Sequence, residues 1–500
     1  MPSTALQSYL EQTPREQIDA GFLAYLANLS VVASAEPAIA RSIVQELADQ
    51  RSHLKLIASE NYCSLPTQLA MGNLLTDKYA EGIAGGRFYA GCNNVDAIET
   101  YAAAQACKLF GMEHAYMQPH SGADANLVAF WAILSARIMV PALHDLGETN
   151  PSALDAAAWE KIRHACGNQR LLGLDYYSGG HLTHGYRYNV SAQMFEAHSY
   201  QVERETGLLN YEEIERQALQ VKPLILLAGY SAYPRKINFR RMREIADSVG
   251  AVLMVDMAHF AGLVAGGVFA GEFNPMTHAH VVTTTTHKTL RGPRGGAVLC
   301  TAEFAEHVNK GCPLVIGGPL PHVMAAKGIA LAEANAPAFK DYARSVVDNA
   351  ATLAEACQTE GLTVATGGTD NHLLLIDVRP FGLTGRQAEA AVRACGITLN
   401  RNSLPFDPNG PWYTSGLRIG TPAVTALGMG RAEMKEISAV LAMVLKHTRA
   451  AVLKNGGASR SKCETDPAVQ VTAVERVRAL LARFPVYPQL DLGFLQKHFS

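Results

Sequence analysis

The sequence has no excess of charge of either sign and no long apolar run. Lys and Arg number 43 against 45 Asp and Glu, a formal net charge of −2, so no global field attracts nucleic acid or an anionic membrane. The most apolar stretch, residues 127–143, is broken by Ser135, Arg137 and Pro141, and it falls short of the roughly 20 apolar residues that span a bilayer. We therefore predict a core helix there, with no membrane or nucleic-acid partner.

Paired cysteines and a secretory leader are also lacking. The nine cysteines are scattered singly, without a Cys-x-x-Cys pair, which favours reduced thiols over disulfides or a zinc site. The first residues, MPSTALQSYLEQTPREQ, show no basic segment followed by an apolar one, so we expect no secretory signal. These features predict a cytoplasmic protein without a bound metal ion.

The chain does have 500 residues, 48% of them hydrophobic, which is more than a single domain needs. Helical spacing over residues 1–54, punctuated at Pro37, predicts an N-terminal helical arm. From 55 to 340, strand-like runs alternate with helical stretches, which predicts a large α/β domain with a mostly parallel sheet. Residues 341–500 predict a smaller C-terminal α+β domain, in which 454–468 is expected to be a polar loop.

Two polar side chains follow strand-like runs of the large domain. Asp256 comes directly after AVLMV, and Lys288 follows VVTTTTH. Either residue alone is more commonly a cap or a surface group. A lysine desolvated at a strand end is a candidate Schiff-base nucleophile, because burial lowers its pKa, and a nearby carboxylate keeps the ring nitrogen of pyridoxal phosphate protonated. The pair therefore predicts a site for that cofactor.

A phosphate site and a carboxylate site accompany this pair. Ser121 and Gly122 precede an apolar helical run, which places free backbone N–H groups and the positive end of a helix at the loop. Arg418 lies between Leu417 and Ile419. A semi-buried arginine of this kind is either structural or a planar fork for a substrate carboxylate.

Longer segments extend the pattern over roughly residues 50–430. In chain order they are LIASENY (56–62), DKYAEGIAGGRFYAG (77–91), HSGADAN (120–126), SGGHLTHG (178–185), VDMAHFAGL (255–263), VVTTTTHKTLRGPRGG (281–296), GGTDNHLLL (367–375) and TSGLRIGTPA (414–423). Together they resemble the serine hydroxymethyltransferase family, and several long motifs in one order are far more specific than a single short pattern. The resemblance implies a fold-type I pyridoxal phosphate transferase that converts L-serine and tetrahydrofolate reversibly into glycine and 5,10-methylenetetrahydrofolate.

The resemblance also implies roles for the matching residues. The catalytic set would be Lys288, Glu81, His259, His181, Tyr79, Thr285 and His287. Pyridoxal 5′-phosphate, covalent at Lys288, would contact Ser121, Gly122, Ala123, His181, Asp256, His259, Ser231, Lys288 and Gly317. The amino acid would bind Ser59, Tyr89, Arg418 and Glu81. Tetrahydrofolate would lie against Tyr176, Gly180, His181, Leu182, Asn371, Gly410, Pro411 and Trp412.

Individual positions follow from the same resemblance. Asp256 would pair with the pyridine nitrogen, and His181 would stack on the ring. His259 and Ser231 would lie beside the phenolic oxygen. Glu81 would sit near the substrate hydroxyl as the candidate acid–base group.

The resemblance implies an assembly as well. Tyr79, Glu81 and Gly317 would face the site of a neighbouring subunit, so the expected active unit is a homodimer or a dimer of dimers.

The sequence departs from the family's pattern at several positions. Ala123 stands where many members have a phosphate-binding serine, and Asp124 stands where glutamine is usual. Phe88 replaces a common tyrosine, and Ile316 replaces a glutamine. Residues 140–168 look like an insertion of solvated surface helices.

Two other interpretations stay open at this stage. One is a threonine aldolase-like pyridoxal enzyme, which the motifs LIASENY and TTTTHKTLRGPRGG oppose. The other is an inactive regulatory paralogue, which the retention of Lys288, Asp256, His181 and Arg418 opposes. For an active enzyme we also expect slow side reactions without folate, namely aldol cleavage of β-hydroxy amino acids and alanine racemisation.

Overall fold

The computed structural model describes residues 4–454 and 456–500. The first elements of the chain are helices. Those of the N-terminal arm are Ala5–Gln12, Ala20–Ala35 and Pro37–Ser52. Pro37 opens the third helix, where its fixed φ and missing N–H are tolerated. The buried faces of these helices pack with Val486, Leu490 and Leu495 near the other end of the chain. The predicted helices and the break at Pro37 are confirmed.

A seven-stranded sheet forms the centre of the following region. Its strands are β1 (His114–Tyr116), β2 (Arg170–Leu174), β3 (Glu196–Tyr200), β4 (Ile225–Gly229), β5 (Val252–Asp256), β6 (Val281–Thr285) and β7 (Gly296–Cys300). The order across the sheet is β1-β7-β6-β5-β4-β2-β3. Strands β2 to β6 run parallel to one another, and β7 is antiparallel to both of its neighbours, β1 and β6. The predicted, mostly parallel α/β sheet is confirmed.

Both faces of this sheet are buried, which explains why its strands read as continuous apolar runs. In β5, Leu253 and Val255 join the apolar cluster on one face, whereas Val252 and Met254 join the cluster on the other. The α-helices of this region are Leu65–Leu69, Asn93–Phe110, Gly122–Leu134, Val140–Asp145, Ala156–Gly167, Ser191–Met194, Tyr211–Val221, Phe239–Val249, Ala261–Ala265, Ala302–Asn309, Gly311–Leu314 and Pro321–Ala334.

One helical stretch, Gly122–Asp145, is long and apolar enough to cross a membrane by length and composition. Its first part nevertheless packs against β6 and β7, and Val128, Phe130 and Ile133 are fully buried there. The predicted core helix is therefore confirmed, and its first turn lies at the end of the sheet where the candidate site forms.

A second, four-stranded antiparallel sheet belongs to the C-terminal region. Its strands are β8 (Thr363–Val364), β9 (Leu373–Asp377), β10 (Asn400–Asn402) and β11 (Gly416–Gly420), in the order β8-β9-β11-β10. The α-helices here are Pro337–Thr359, Gly385–Ala394, Gly410–Tyr413, Pro422–Ala426, Arg431–Lys446, Pro467–Arg483 and Leu492–Phe499. This is the predicted α+β arrangement, with an apolar core of its own.

The predicted boundary between residues 340 and 341 falls inside the helix Pro337–Thr359. Phe339, at its start, packs into the core of the large sheet, and Leu353 packs into the core of the small one. The change from one core to the other thus takes place along a single helix.

The short elements complete the description. Leu54–Lys55 pairs with Ile397–Thr398, and Gly82–Ile83 pairs with Gly86–Arg87. The 3₁₀ helices are Arg15–Gln17, Leu74–Asp77, Pro151–Ala153, Tyr176–Ser178, Leu182–His184, Gly271–Phe273, Pro275–Thr277, Ala365–Gly367 and Arg379–Phe381, and Ser135–Met139 is a π-helical turn.

The expected polar loop at 454–468 is wrong for most of its length. Strands Thr448–Val452 and Ala458–Thr465 form an antiparallel hairpin, and Asn455 lies outside the described residues. The second strand of the hairpin is bonded to a side chain of a neighbouring helix, because Gln387 Nε2 donates to the backbone carbonyls of Ser459 (2.6 Å) and Lys462 (2.9 Å). Tertiary contact, rather than strand propensity, makes this segment extended.

Candidate active site

A cavity of about 630 Å³ opens at the carboxyl ends of the central strands, where ligands gather in parallel sheets. It lies between the large sheet and the strands β10 and β11 of the small one. Many of the predicted site residues line it: Ser59, Tyr176, Gly180, His181, Leu182, Ser231, His259, His287, Lys288, Pro411 and Arg418.

Lys288 is half-buried in the wall of this cavity, three residues after β6 ends. Burial lowers the pKa of its amine to about 8; the charge of Asp256 opposes this shift, and Arg418 and Arg294 reinforce it. A lysine with such a pKa is partly neutral near physiological pH, so its lone pair is available as a nucleophile. His287, beside it, also lines the cavity, and burial lowers its pKa to about 3.

Asp256 ends β5, the strand next to β6, and its carboxylate is buried. One oxygen accepts from Asn126 Nδ2 (2.9 Å) and His184 Nε2 (3.3 Å), and the other accepts from the backbone N–H of Ala258 (3.0 Å). Burial alone would raise the pKa of Asp256, but His184, His181 and Asn126 together hold it well below its ordinary value. The group is therefore a fixed negative charge.

Two residues outside the cavity lining, Asn126 and Thr183, fix the orientation of the His181 ring. Asn126 Nδ2 donates to Thr183 Oγ1 (2.7 Å), and the Thr183 hydroxyl (2.7 Å) and backbone N–H (3.2 Å) meet Nδ1 of His181. Because Nδ1 accepts, the proton of the neutral ring lies on Nε2. Burial lowers the pKa of His181 to about 4, so a neutral ring faces the cavity. Asn126 thereby connects His181 to Asp256.

His259 forms a hydrogen bond with His372, which directly precedes strand β9 of the small sheet. Its Nδ1 lies 3.3 Å from Nε2 of His372, and the Nδ1 atom of His372 is buried without a hydrogen-bond partner. Burial lowers the pKa of His259 well below its ordinary value and that of His372 to about 3. Two neutral rings thus share one hydrogen bond at the cavity wall.

Arg418 reaches the cavity from β11. Its Nε donates to Asn400 Oδ1 (3.1 Å), and Nη1 donates to the carbonyl of Ser231 (2.7 Å). Burial lowers the pKa of the guanidinium to about 10, which leaves it charged at neutral pH. The two bonds fix the planar fork in one orientation at the cavity wall, as carboxylate recognition requires.

The predicted phosphate loop lies behind this cavity at the start of the helix Gly122–Leu134. Ser121 is the N-cap, and its hydroxyl accepts from the backbone N–H of Asp124 (3.1 Å). Gly122 is needed for packing, because a Cβ there would meet the methyl group of Thr285 at 2.7 Å. Thr285 itself is buried and donates to the carbonyl of Ala258, and Ala123 is exposed. The free N–H groups of the first helical turn remain directed at the loop.

Four of the predicted residues that do not line the cavity lie together elsewhere on the chain: Tyr79, Glu81, Tyr89 and Gly317. Tyr79 and Tyr89 are 57% and 45% exposed, and their rings lie 4.9 Å apart. The hydroxyl of Tyr79 donates to Glu81 (3.4 Å). Gly317, in a left-handed turn with φ +65°, precedes Gly318, whose position is in contact range of both side chains. The two exposed tyrosines and the half-buried Glu81 and Gly317 form one group near the surface.

The predicted folate residues are divided in the same way. Tyr176, Gly180, Leu182 and Pro411 line the cavity, and Trp412 is 61% exposed nearby. Gly410 opens the helix Gly410–Tyr413 outside the cavity lining.

Asn371 is a different case, because it is fully buried. Its amide donates to Tyr230 Oη (3.1 Å) and the carbonyl of Tyr233 (3.0 Å), and its side-chain oxygen accepts from the backbone N–H of Leu373. The structure thus places Asn371 in a bonded network behind the wall rather than at its surface.

The residues present fit pyridoxal phosphate. A carboxylate has about four acceptor positions, and the three donors to Asp256 leave capacity for a pyridinium N–H. The cavity wall also presents the amine of Lys288, the neutral imidazole of His181 and the guanidinium of Arg418. The N-terminus of the helix Gly122–Leu134 would bind the phosphate. Among the described residues, no group of three His, Cys, Asp or Glu side chains is placed to hold a metal ion.

Reasoning from the sequence missed the residues that support the site. Asn126, Thr183, His184, His372 and Asn400 all bond to predicted site residues. Four of them lie inside the quoted motifs, so nearness to a motif residue was the available signal; nothing marked Asn400.

The fold and the site together define a fold-type I pyridoxal phosphate enzyme. A family model described as serine hydroxymethyltransferase matches residues 32–150 and 156–441. The chain is 64% identical over 500 residues to the serine hydroxymethyltransferase of Treponema pallidum, covering 100% of this chain and 87% of that protein. It is 57% identical over 470 residues to that of Salinispora tropica (94% and 98% covered) and 54% identical over 495 residues to that of Mycolicibacterium smegmatis (98% and 99%).

The chain therefore belongs to the serine hydroxymethyltransferase family, as the motifs predicted. The five residues that the family model skips, 151–155, lie within the predicted insertion 140–168. That segment includes the helix Ala156–Gly167, of which only Ile162 is buried.

Proposed function

We propose that the protein converts L-serine and tetrahydrofolate reversibly into glycine and 5,10-methylenetetrahydrofolate, with pyridoxal phosphate held covalently at Lys288. The observation that carries the proposal is the meeting of Lys288, Asp256 and Arg418 at one site, since these are an amine, a fixed negative charge and an oriented guanidinium. Membership of the family supports the same reaction.

Three side chains of the protein, those of Asp256, Lys288 and His181, have separate roles toward the cofactor. Pyridoxal phosphate, when bound, supplies an electron sink for the negative charge that develops at the substrate's α-carbon. Asp256 holds its negative charge where a protonated ring nitrogen needs a partner. Lys288 would hold the cofactor through its neutral amine, and the same amine could hold a proton near the α-carbon when it is free. His181 presents a flat neutral ring.

The substrate is oriented by separate groups. Arg418, fixed by Asn400 and the Ser231 carbonyl, would bind the α-carboxylate together with Ser59. A fixed carboxylate leaves the bonds at the α-carbon in one orientation, which favours loss of the hydroxymethyl group over other reactions. His259 would donate or accept at the cavity wall beside Ser231.

We infer that a second copy of the chain completes each site. Tyr79, Glu81 and Gly317 lie outside their own cavity in one group near the surface, which supports the expectation that they serve a neighbouring subunit; Tyr89 lies in the same group. Glu81 would then act on the substrate hydroxyl across the interface. A homodimer is the smallest assembly that meets this requirement.

The remaining expectations are proposals of the same kind. Tetrahydrofolate would enter over Tyr176, Gly180, Leu182 and Pro411, with Trp412 at the rim. Asn371 would act indirectly, by fixing Tyr230. Nine free thiols support a cytoplasmic location. The three predicted units are 1–54, 55–340 and 341–500; separate cores for the two sheets support the second and third, with the change of core within the helix Pro337–Thr359, and the arm 1–54 packs with Val486, Leu490 and Leu495.

The decisive assay follows methylenetetrahydrofolate formation from serine and tetrahydrofolate. We expect turnover by the holoenzyme and at least a thousandfold loss in Lys288→Ala, because the variant lacks the amine that binds and releases the cofactor. Threonine cleavage that is faster than serine turnover and indifferent to folate would indicate an aldolase. A protein without visible cofactor absorbance and without turnover would indicate the inactive paralogue. Near-normal turnover of Lys288→Ala would contradict the assignment of this residue.

A further inference from the structure

A second lysine, Lys327, is buried more deeply than Lys288 and has no place in the proposed reaction. It lies in the helix Pro321–Ala334 and is 1% exposed. Its Nζ donates to three backbone carbonyls, those of Met117 (2.7 Å), Pro119 (2.9 Å) and Gly296 (2.8 Å). A buried amine is costly, so this arrangement requires an explanation.

The three contacts establish the state of the amine. A carbonyl oxygen only accepts, and an ammonium group has three N–H donors whereas a neutral amine has two. Three bonds of 2.7–2.9 Å therefore match the charged form, whose N–H donors they use in full. Burial lowers the pKa of Lys327 to about 7, and the carboxylates of Glu99 and Asp124 act in the opposite direction. The three carbonyls favour the ammonium form of Lys327 against the effect of burial, and they hold its amine in one position.

The carbonyls belong to two segments that both lead to the cofactor site. Met117 and Pro119 lie on the segment between β1 and Ser121. Gly296 begins β7, at the end of the loop that follows Lys288, and the Gly296 N–H also donates to the Pro119 carbonyl (3.0 Å). A side chain at Gly296 would collide with the Ser121 carbonyl, so the two segments are in direct contact.

The loop after Lys288 is closed by its own hydrogen bonds and lies against the side chain of Lys327. Gly292 N–H donates to the Thr286 carbonyl, and the Thr286 hydroxyl donates to the Pro293 carbonyl, both at 2.6 Å. The Lys327 stem occupies the space beside Gly295, where a Cβ would meet its Cε atom. Movement of the Lys327 amine would therefore be transmitted to the residues on either side of Lys288.

We propose that Lys327 is a positioning residue that holds the Ser121–Gly122 loop and the Lys288 loop at a fixed separation. The inference rests on the proposed function, in which these loops bind the two ends of one rigid cofactor. A rigid ligand with two attachment points binds only those conformers in which both points are correctly spaced. Its apparent dissociation constant is the intrinsic one divided by the fraction of competent conformers.

The test compares cofactor retention in the holoenzyme of three variants. Lys327→Met keeps the length of the side chain and removes every donor, and Lys327→Gln restores part of the donor capacity. Leu331→Ala is the matched control, because Leu331 is one turn away in the same helix, buried (2% exposed) and apolar. The measurements are the melting temperature, the rate at which protein-bound pyridoxal phosphate absorbance is lost on dilution, and hydrogen exchange in peptides covering 117–122 and 286–297.

We expect Lys327→Met to lose cofactor at least tenfold faster than wild type, with faster exchange in both peptides. Lys327→Gln should be intermediate, and Leu331→Ala should keep the wild-type rate even where its melting temperature falls as far. The inference is overturned if Lys327→Met retains cofactor like wild type, or if Leu331→Ala loses it equally fast. It is also overturned if neither Lys327 variant folds, since the residue then serves the whole fold. A wild-type protein that binds no pyridoxal phosphate would refute the proposed function instead.

Discussion

Replacing Asn126 with leucine removes the residue that joins Asp256 to His181. The Asn126 amide donates to Asp256 Oδ2 (2.9 Å) and to Thr183 Oγ1 (2.7 Å), and its oxygen accepts from Thr283 Oγ1 (2.6 Å). Three of its four hydrogen-bonding positions are thus used, and the side chain is fully buried. Leucine has nearly the same shape and supplies none of these bonds.

The size of the effect follows from the bond to the carboxylate. A hydrogen bond to a charged acceptor contributes about 1.5–3 kcal/mol, and one pKa unit corresponds to about 1.36 kcal/mol. Loss of the Asn126 bond should therefore raise the pKa of Asp256 by about 1–2 units. A carboxyl whose pKa is depressed on folding stabilises the protein above its unfolded pKa, and this stabilisation is lost as the pH falls through the folded pKa. In the variant, whose folded pKa is higher, that loss is complete at a higher pH.

The assay is an acid titration of the holoenzyme, followed by the absorbance of bound pyridoxal phosphate and by circular dichroism of the backbone. We expect the midpoint of cofactor loss in Asn126→Leu to lie about 1–2 pH units above that of wild type, ahead of any loss of helix signal. Thr283→Val is the control, because it removes the donor to Asn126 but keeps the bond to Asp256. Superimposed titrations of wild type and Asn126→Leu would refute the reasoning.

Three further predictions concern the same site. Arg418→Lys should raise the KM for serine about 10–100-fold with bound-cofactor absorbance intact, because lysine cannot keep the bonds to Asn400 and Ser231 while binding a carboxylate with two donors; an unchanged KM would place the carboxylate elsewhere. Ala123→Ser should tighten pyridoxal phosphate binding about tenfold or more through one added bond to a charged acceptor, and unchanged affinity in an equilibrium titration would show that backbone N–H groups suffice. Without folate, the holoenzyme should slowly cleave allo-threonine and racemise L-alanine, as chiral analysis beside a Lys288→Ala control would show; absence of both products would mean that tetrahydrofolate does not gate the specificity of the site.

The central sheet was predictable because burial on both faces leaves a plain signal in the sequence. Runs such as AVLMV and LILLAG are continuous and apolar, they are short, and helices with polar faces separate them. The residues at their ends, Asp256 and Lys288, were predictable for a related reason. A charged side chain at the end of a fully buried run, as Asp256 is, or within three residues of it, as Lys288 is, is expected at the carboxyl end of the strand. Parallel neighbouring strands bring such ends together.

The hairpin Thr448–Val452 and Ala458–Thr465 was not predictable from the same principles. The segment is polar and contains few strand formers, and its extended form depends on Gln387 of a distant helix. Such a contact leaves no local pattern in either partner. The pairing of His259 with His372 has the same character, because 113 residues separate the two rings.

Lys327 shows how far composition can mislead about one side chain. In the segment MAAKGIALAEA it looks like one of two charged residues, with Glu333, that keep an apolar helix soluble, since most lysines are exposed. The only local sign against that interpretation is the glycine and alanine around it, which leave space for a segment to approach closely. The partners of Lys327 are backbone carbonyls, and these carry no sequence signal at all.

The departure at Ala123 and the burial of Lys327 are connected by the way the phosphate would be held. The Ser121 hydroxyl is occupied by the Asp124 N–H in its role as N-cap, and Ala123 offers no hydroxyl. More of the binding energy must then come from backbone N–H groups of the first helical turn, whose directions depend on the path of the chain from Met117 onward. A phosphate site made of backbone N–H groups is only as rigid as the segment that precedes it. Lys327 donates to two carbonyls of that segment, those of Met117 and Pro119. The added serine should therefore compensate most where this path is loosened, so Ala123→Ser should restore more cofactor affinity in Lys327→Gln than in the wild type.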